Sequence, residues 1–341
     1  MQDQAISIER QHQHLVKVSR TFALTIPLLP EDIADQVSNA YLLCRIADTV
    51  EDDPKAEVES KAIWLKNFAE FCAEGFADEM QLLSLSTKAI DLVQEGAKED
   101  ELSLIKEMLP VVLRTRSFAP AVRRILSRGV SILSYGMAKS LSGYSIKTLN
   151  DVDEYCYSVA GVVGELLACL FARTDQRINR EELLNLSVSF GEGLQLTNIL
   201  KDRKKDYLRG VSYLPSDANT QEGFAHYIAL TKGHLDNALD FILHLPSAQL
   251  GIRRFCLLNI CMAEATLKLM HLNPDGRDKI SRRYVKALFM ICKLCAKNNV
   301  LTKMLYAFVG LGLRGKRSDP MALRRRVSKW DKATFDILIE E

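Results

Sequence analysis

Residues 30–53 read PEDIADQVSNAYLLCRIADTVEDD, and Pro54 follows directly. A proline and two acids open the run, which suits a helix start: the first turn leaves amide hydrogens unbonded, and acids face the positive end of the dipole. Apolar residues then recur at spacings of three and four until Pro54 stops the pattern. At 100° per residue, Tyr41, Arg45, Asp48 and Asp52 share an arc of about 60°, while Leu43, Ile46, Ala47 and Val50 take the other side. The run predicts one long helix with an apolar back and an acidic front.

The same periodicity marks 58–74, 101–115, 119–141, 152–173, 180–208, 226–245 and 251–270, whereas 75–105 is the least readable part. No stretch alternates as a strand would. The 341 residues are 48% hydrophobic, with only 17 glycines and 9 prolines to interrupt helices. No linker or short repeat divides them. One all-α domain over 1–341 is the expectation.

A formal charge of +2 gives no reason to expect nucleic acid. The eight cysteines are scattered through apolar stretches, and the N-terminus has no apolar core of the signal-peptide kind, so a reducing, cytoplasmic setting is expected. Cys292 and Cys295 form a C-x-x-C on a helical stretch with no second Cys or His pair nearby, which argues against a metal or redox role. Gly310, Gly312 and Gly315 spell G-x-G-x-x-G, but no strand precedes them, and a dinucleotide site is rejected. The stretch Met304–Leu313 is too short to span a bilayer; a core helix end and a patch resting on a membrane surface both remain open for it.

A second acidic stripe lies in GEGLQLTNILKDRKKDY, residues 191–207. Gln195, Asn198, Asp202 and Asp206 share an arc of about 80°. Each stripe has two readings, a solvated helix side or a cation site. Like charges four apart repel on a helix, and repeating them on a second helix favours compensation by bound cations. Mg²⁺ prefers oxygen ligands and joins one or two carboxylates to a substrate's phosphates. Two such helices facing each other, with Arg45 nearby, would clamp a diphosphate and assist its departure. Apolar walls would suit a hydrocarbon tail and keep water from the resulting carbocation. Tyr155 shares a helix face with Val159, Val162 and Leu166, and is either an interfacial core tyrosine or a phenol above such a wall. Ala160, Gly164 and Ala168 make a small-residue face; Gly161 and Gly164 each cost about 1 kcal/mol relative to alanine, which predicts close packing there.

With SRTFA at 19–23, YLLCRIADTVEDD at 41–53, YCYSVAGVVGE at 155–165 and GEGLQLTNILKDRKKD at 191–206 in this order, the chain resembles the squalene/phytoene synthase family, the head-to-head prenyl diphosphate synthases, over nearly its whole length. FCLLNICMAEATLKLM and DKISRRYV resemble the reductive, squalene-forming branch. The resemblance implies an isoprenoid-synthase-like helical bundle around a central apolar cavity, acting on farnesyl diphosphate with Mg²⁺ and NADPH in sterol or hopanoid biosynthesis. It implies Asp48, Glu51, Asp52, Asp202 and Asp206 as metal ligands. Ser19, Arg20, Thr21, Phe22, Arg45, Gln195 and Asn198 would contact diphosphates or the intermediate. Tyr155, with Tyr41 and Arg45, would serve catalysis, and Lys201, Lys279 and Arg282 would join Arg20 and Arg45 in meeting cofactor phosphates.

The chain departs from the family pattern at Arg203, Lys204 and Lys205 inside the second motif, and Lys201 stands where an arginine is common. Positive charge there can replace part of a metal's role. The C-terminal membrane span of eukaryotic relatives is also missing, so a cytoplasmic monomer is expected, with residues from about 296 to 341 as a tail for peripheral contact with the inner membrane surface. Two alternatives stay open. One is a synthase that stops at presqualene diphosphate or makes phytoene or dehydrosqualene without a reductant. The other is a non-catalytic helical scaffold for assembly or lipid binding.

Overall fold

The computed structural model describes residues 4–141, 143, 146–208, 210–274 and 279–331, with Arg20 described by its backbone alone. Among them there are helices and no strands, as the periodicity predicts. Contacts sort the chain into two compact units, Met1–Tyr144 with Lys329–Glu341, and Ser145–Ser328, each with its own core.

The first unit holds α1 (Ile8–Val18), α2 (Arg20–Thr25), α3 (Glu31–Asp52), α4 (Val58–Ala73), α5 (Glu79–Val93), α6 (Glu99–Ile105), α7 (Met108–Ser117) and α8 (Pro120–Leu141). Its axis is α3, which starts after Pro30 as the opening motif predicts and packs against α1, α4, α7 and α8. Leu42, Leu43, Ile46, Ala47 and Val50 are fully buried on its back. The unreadable stretch becomes α5 and α6. The run 101–115 is two helices, not one: the chain turns at Lys106 and Glu107, and Pro110 sits in the first turn of α7, where a missing amide hydrogen costs nothing.

The second unit holds α9 (Leu149–Cys156), α10 (Val162–Ala172), α11 (Arg180–Leu208), α12 (Gln221–Leu243), α13 (Leu250–Leu272), α14 (Arg282–Cys295), α15 (Asn299–Val309) and α16 (Pro320–Val327). Its axis is α11, 29 residues long and packed against α10, α12, α13 and α16. Between α9 and α10 runs one π-helical turn, Tyr157–Gly161, closed by Val162 N–H donating to the Tyr157 carbonyl. The expected single helix over 152–173 is therefore interrupted. One extra residue in the turn rotates α10 by about 100° relative to α9, so Val162 and Leu166 are core residues while Tyr155 and Val159 are half-buried.

The expected close packing occurs here. A Cβ on Gly164 would lie 2.1 Å from the Ser187 carbonyl oxygen, and one on Gly191 would lie 2.2 Å from that of Ala160. Backbone meets backbone at this crossing, and no side chain can yield. The G-x-G-x-x-G segment is explained in the same terms. It follows α15 as a strap across α12, with Lys316 N–H donating to the Ala229 carbonyl at 2.7 Å. A Cβ on Gly310 would lie 1.9 Å from Oε1 of the buried Glu264.

The helical stretches Leu149–Ala172 and Leu250–Leu272 are long and apolar enough to cross a membrane, but they bury 61% and 67% of their most apolar windows, as core helices do. All eight cysteines are free thiols, and Cys292 of the C-x-x-C is buried on α14.

Candidate active site

In the first unit the SRTFA motif folds onto the acidic helix. Ser19 caps α2, its Oγ accepting from Phe22 N–H at 3.2 Å. The Phe22 ring lies 5.1 Å from that of Tyr41, and the Tyr41 hydroxyl is hydrogen-bonded with Ser19. Burial raises the Tyr41 phenol above its ordinary value; the Ser19 bond and Arg45 oppose this, and Asp48 adds to it. One turn on, the Arg45 guanidinium donates to Asp48 and, at 2.5 Å, to Glu101 on α6. Its Nε is buried and has no acceptor among the described residues. Thr21 is exposed.

The stripe is not a plain solvated side, because Tyr41, Arg45, Asp48 and Glu51 are all half-buried and only Asp52 is exposed. Burial pushes the Asp48 carboxyl up to about 6 against the pull of Arg45, with Asp52 and Glu101 adding to the push. Burial and the Asp48 charge push Glu51 up to about 8, although Ser140 donates to it at 2.8 Å. Such carboxyls gain from a bound cation more than solvated ones do. The fourth acid of the cluster has a different task. Asp53 is buried and accepts from Lys55 and Ala56 N–H, both at 2.9 Å, which shapes the turn after α3.

In the second unit the other stripe is neutralised from within. Lys201 donates to Asn198 Oδ1 at 2.7 Å and stands 3.2 Å from Asp202, while Lys205 donates to Asp202 at 2.7 Å. Burial alone would raise Asp202, but the two lysines outweigh it and hold the carboxyl below its ordinary value. Asp206 is buried, Gln195 half-buried and Asn198 exposed. Arg203 lies over the Phe224 ring at 3.9 Å and donates to the carbonyls of Leu200 and Pro274. Tyr155 stacks on Tyr213 with ring centroids 4.8 Å apart. Lys279 and Arg282 are exposed, just before and at the start of α14.

Sequence reasoning missed Glu101 and Tyr213. Glu101 lies in the stretch with the weakest periodicity, and Tyr213 in the loop after α11, so neither carried a signal. The lysine neutralisation was legible, since Lys201 and Lys205 stand one and three positions from Asp202.

The residues present suit Mg²⁺. Every candidate ligand is a carboxylate oxygen, which a hard cation prefers. No three Asp, Glu, His or Cys side chains among the described residues converge as a ready cage. A magnesium ion does not need one, because it keeps waters and takes phosphate oxygens alongside one or two carboxylates. The buried, unaccepted Nε–H of Arg45 likewise suits an anionic ligand.

An all-α fold with an aspartate stripe on one core helix of each unit defines the class, and comparison places the chain within it. The fold matches TcSQS in complex with the ligand BPH1237 at a TM-score of 0.73, with 21% identity over 96% of this chain and 99% of that one. It also matches a ligand-bound dehydrosqualene synthase at 0.57, with 18% identity over 84% of this chain and 95% of that one. The squalene/phytoene synthase family model matches residues 15–288, and the chain belongs to that family. The squalene synthase of Schizosaccharomyces pombe is 27% identical over 294 residues, 79% of this chain and 61% of that protein. That of Rattus norvegicus is 30% identical over 290 residues, 84% of this chain and 61% of that protein. The chain thus spans about three-fifths of the length of these relatives.

Proposed function

We propose that this protein is a squalene synthase, a prenyltransferase that joins two farnesyl diphosphates head to head into presqualene diphosphate and reduces that intermediate to squalene. The observation that carries the reading is the half-buried stripe of α3, where carboxyls raised by burial stand beside an arginine whose Nε–H lacks an acceptor. A stripe serving only solubility would be solvated and would need no such arginine.

In this mechanism Asp48, Glu51 and Asp52 of α3 would hold Mg²⁺ in the first unit, and Asp202 and Asp206 of α11 would do so in the second. When bound, the ion supplies positive charge to diphosphate oxygens and eases their departure. Arg45 donates to the diphosphate through its free Nε–H, and Ser19, Arg20 and Thr21 add donors at the N-terminus of α2. Gln195 and Asn198 contact the second diphosphate, and Lys201 supplies fixed positive charge beside Asp202. Phe22 and Tyr41 wall off water. The C1–O bond of one farnesyl diphosphate breaks with its electron pair on the departing oxygen. The allylic cation is attacked by the double bond of the other, and a proton is lost as the cyclopropane closes. Tyr155, with its hydroxyl oriented by the Tyr213 stack, guides that proton toward the released diphosphate, and Tyr41 is the second phenol near the chemistry. A second C–O ionisation and rearrangement give the cation that is reduced. Lys279 and Arg282, both exposed, would meet the phosphates of NADPH, whose chemistry there would be hydride donation.

Mass spectrometry of the product formed from farnesyl diphosphate and Mg²⁺, with and without NADPH, tests the reading. Squalene with NADPH, and presqualene diphosphate without it, are expected. Dehydrosqualene in both tubes would assign the chain to the non-reductive branch. No condensation product in either tube would leave only a scaffold role.

A further inference from the structure

The second unit carries a basic segment of which the proposed chemistry uses only Lys279 and Arg282. Between Lys279 and Ser318 the chain has ten lysines and arginines and not one aspartate or glutamate, in a protein whose formal charge is only +2. Nearly all of this segment is α14, α15 and the glycine strap. Both helices are amphipathic in the same sense. Leu288 and Cys292 of α14 are buried, as are Leu305, Tyr306 and Val309 of α15, and the two helices pack on α13 and on each other.

Their outward faces are apolar as well. On α14 these are Met290, Ile291 and Leu294, with Leu294 62% exposed. On α15 and just after it they are Met304 at 63%, Phe308 at 73% and Leu311 at 68%. At 100° per residue each set forms one stripe; Lys286 falls about 40° beyond the Met290 edge of the first, and Lys303 about 100° from Met304, on the flank of the second. Lys297 lies in the turn that joins the helices, also exposed. In the stretch Met304–Leu313, Leu305, Tyr306 and Val309 are core residues, while Met304, Phe308 and Leu311 face solvent.

Large apolar side chains exposed in a contiguous patch mark a binding surface. A second copy of this chain is a poor occupant, because a two-fold pairing would set one acid-free, basic surface against another. Nucleic acid would answer the lysines but leave the apolar stripes with nothing to bury against. A bilayer carrying anionic headgroups answers both, since apolar side chains enter the headgroup boundary while lysines stay level with the phosphates. We propose that the outward faces of α14 and α15 form a docking surface for an anionic lipid bilayer. The proposal does not depend on which reaction the protein performs.

Flotation of the full chain with unilamellar vesicles tests it. Vesicles of phosphatidylcholine with phosphatidylglycerol should carry the protein, pure phosphatidylcholine should carry much less, and raised salt should release it. Leu294→Ser/Met304→Ser/Phe308→Ser should weaken binding roughly tenfold or more, because three apolar side chains no longer enter the lipid. Lys286→Glu/Lys297→Glu/Lys303→Glu changes only exposed side chains and should abolish the preference for anionic vesicles, which keeps the test valid if the apolar variant misfolds. Phe308→Trp should show blue-shifted emission on anionic vesicles. Three results would overturn the proposal: no flotation of the unaltered chain, flotation that survives both triple variants, or a dimer in sedimentation velocity that the apolar variant dissociates while vesicles bind neither form.

Discussion

The backbone crossing at Gly191 makes a sharp prediction about a single methyl group. Gly191→Ala and Gly193→Ala lie two residues apart on α11, and each should gain about 1 kcal/mol from helix propensity. Their surroundings differ. The Cβ at 191 would lie 2.2 Å from the Ala160 carbonyl oxygen and 2.6 Å from its carbon, both backbone atoms of the π-helical turn. At 193 the closest atoms are a methyl of Leu235 at 3.0 Å, which a small rotation can withdraw, and His234 Cβ and the Leu235 amide nitrogen at 3.2 Å, which need give only a few tenths of an ångström. Separating two backbones by more than an ångström opens space along the whole crossing and costs in the upper part of the overpacking range, about 3 kcal/mol. The net expectation is a loss of about 2 kcal/mol for Gly191→Ala and a change within about 1 kcal/mol for Gly193→Ala. Urea unfolding of the two variants beside the unaltered chain measures the difference. Because the displaced carbonyl belongs to the turn that follows Tyr155, Gly191→Ala should also lower turnover in the prenyl-transfer assay at a temperature where it is fully folded. Equal stabilities for the two variants, or a more stable Gly191→Ala, would refute the backbone-contact argument.

Three further predictions concern charge. Asp48→Asn should keep its circular dichroism spectrum and be no less stable without metal, since it removes a carboxyl that burial disfavours, while turnover should fall by roughly two orders of magnitude or more; retained turnover would remove Asp48 from the metal set. Glu51 holds its proton up to about pH 8 when folded, against 4.5 ordinarily. The folded chain therefore binds more protons than the unfolded one across that window, and metal-free stability should decline as pH rises through it. A Tm series from pH 5 to 8 should slope less in Glu51→Gln, and identical slopes would contradict the assignment. Arg324→Met strips the buried Glu165 of a partner at 2.8 Å, leaving Tyr157 and Ser328 on the carboxylate. It should cost about 3 kcal/mol, and adding Glu165→Leu should recover part of that in a double-mutant cycle; a double variant weaker than the sum of the singles would count against it.

The particular elements show which features a linear reading can reach. The spacing of α11 was legible to both ends, and so was the acidic front of α3, because helical periodicity depends only on residues three and four apart. The break at Lys106 and the π-helical turn were not, since both are set by what the chain packs against. Glu101 reached Arg45 from 56 positions away, and no local pattern announces such a partner. Gly164 pointed to a close approach, but its facing atom, the Ser187 carbonyl, lay in another helix.

What the sequence determined by itself was the helical class, the two stripes of carboxylates and the family they belong to, all carried by local spacing and residue chemistry. What only the tertiary structure decided was the state of those charges. Burial and neighbours distant along the chain make Asp48 and Glu51 reluctant acids, while a pair of lysines keeps Asp202 ionised. The same sequence pattern therefore yields two different electrostatic environments, because the free energy of a carboxylate depends on the solvent and charges around it rather than on its place in the chain.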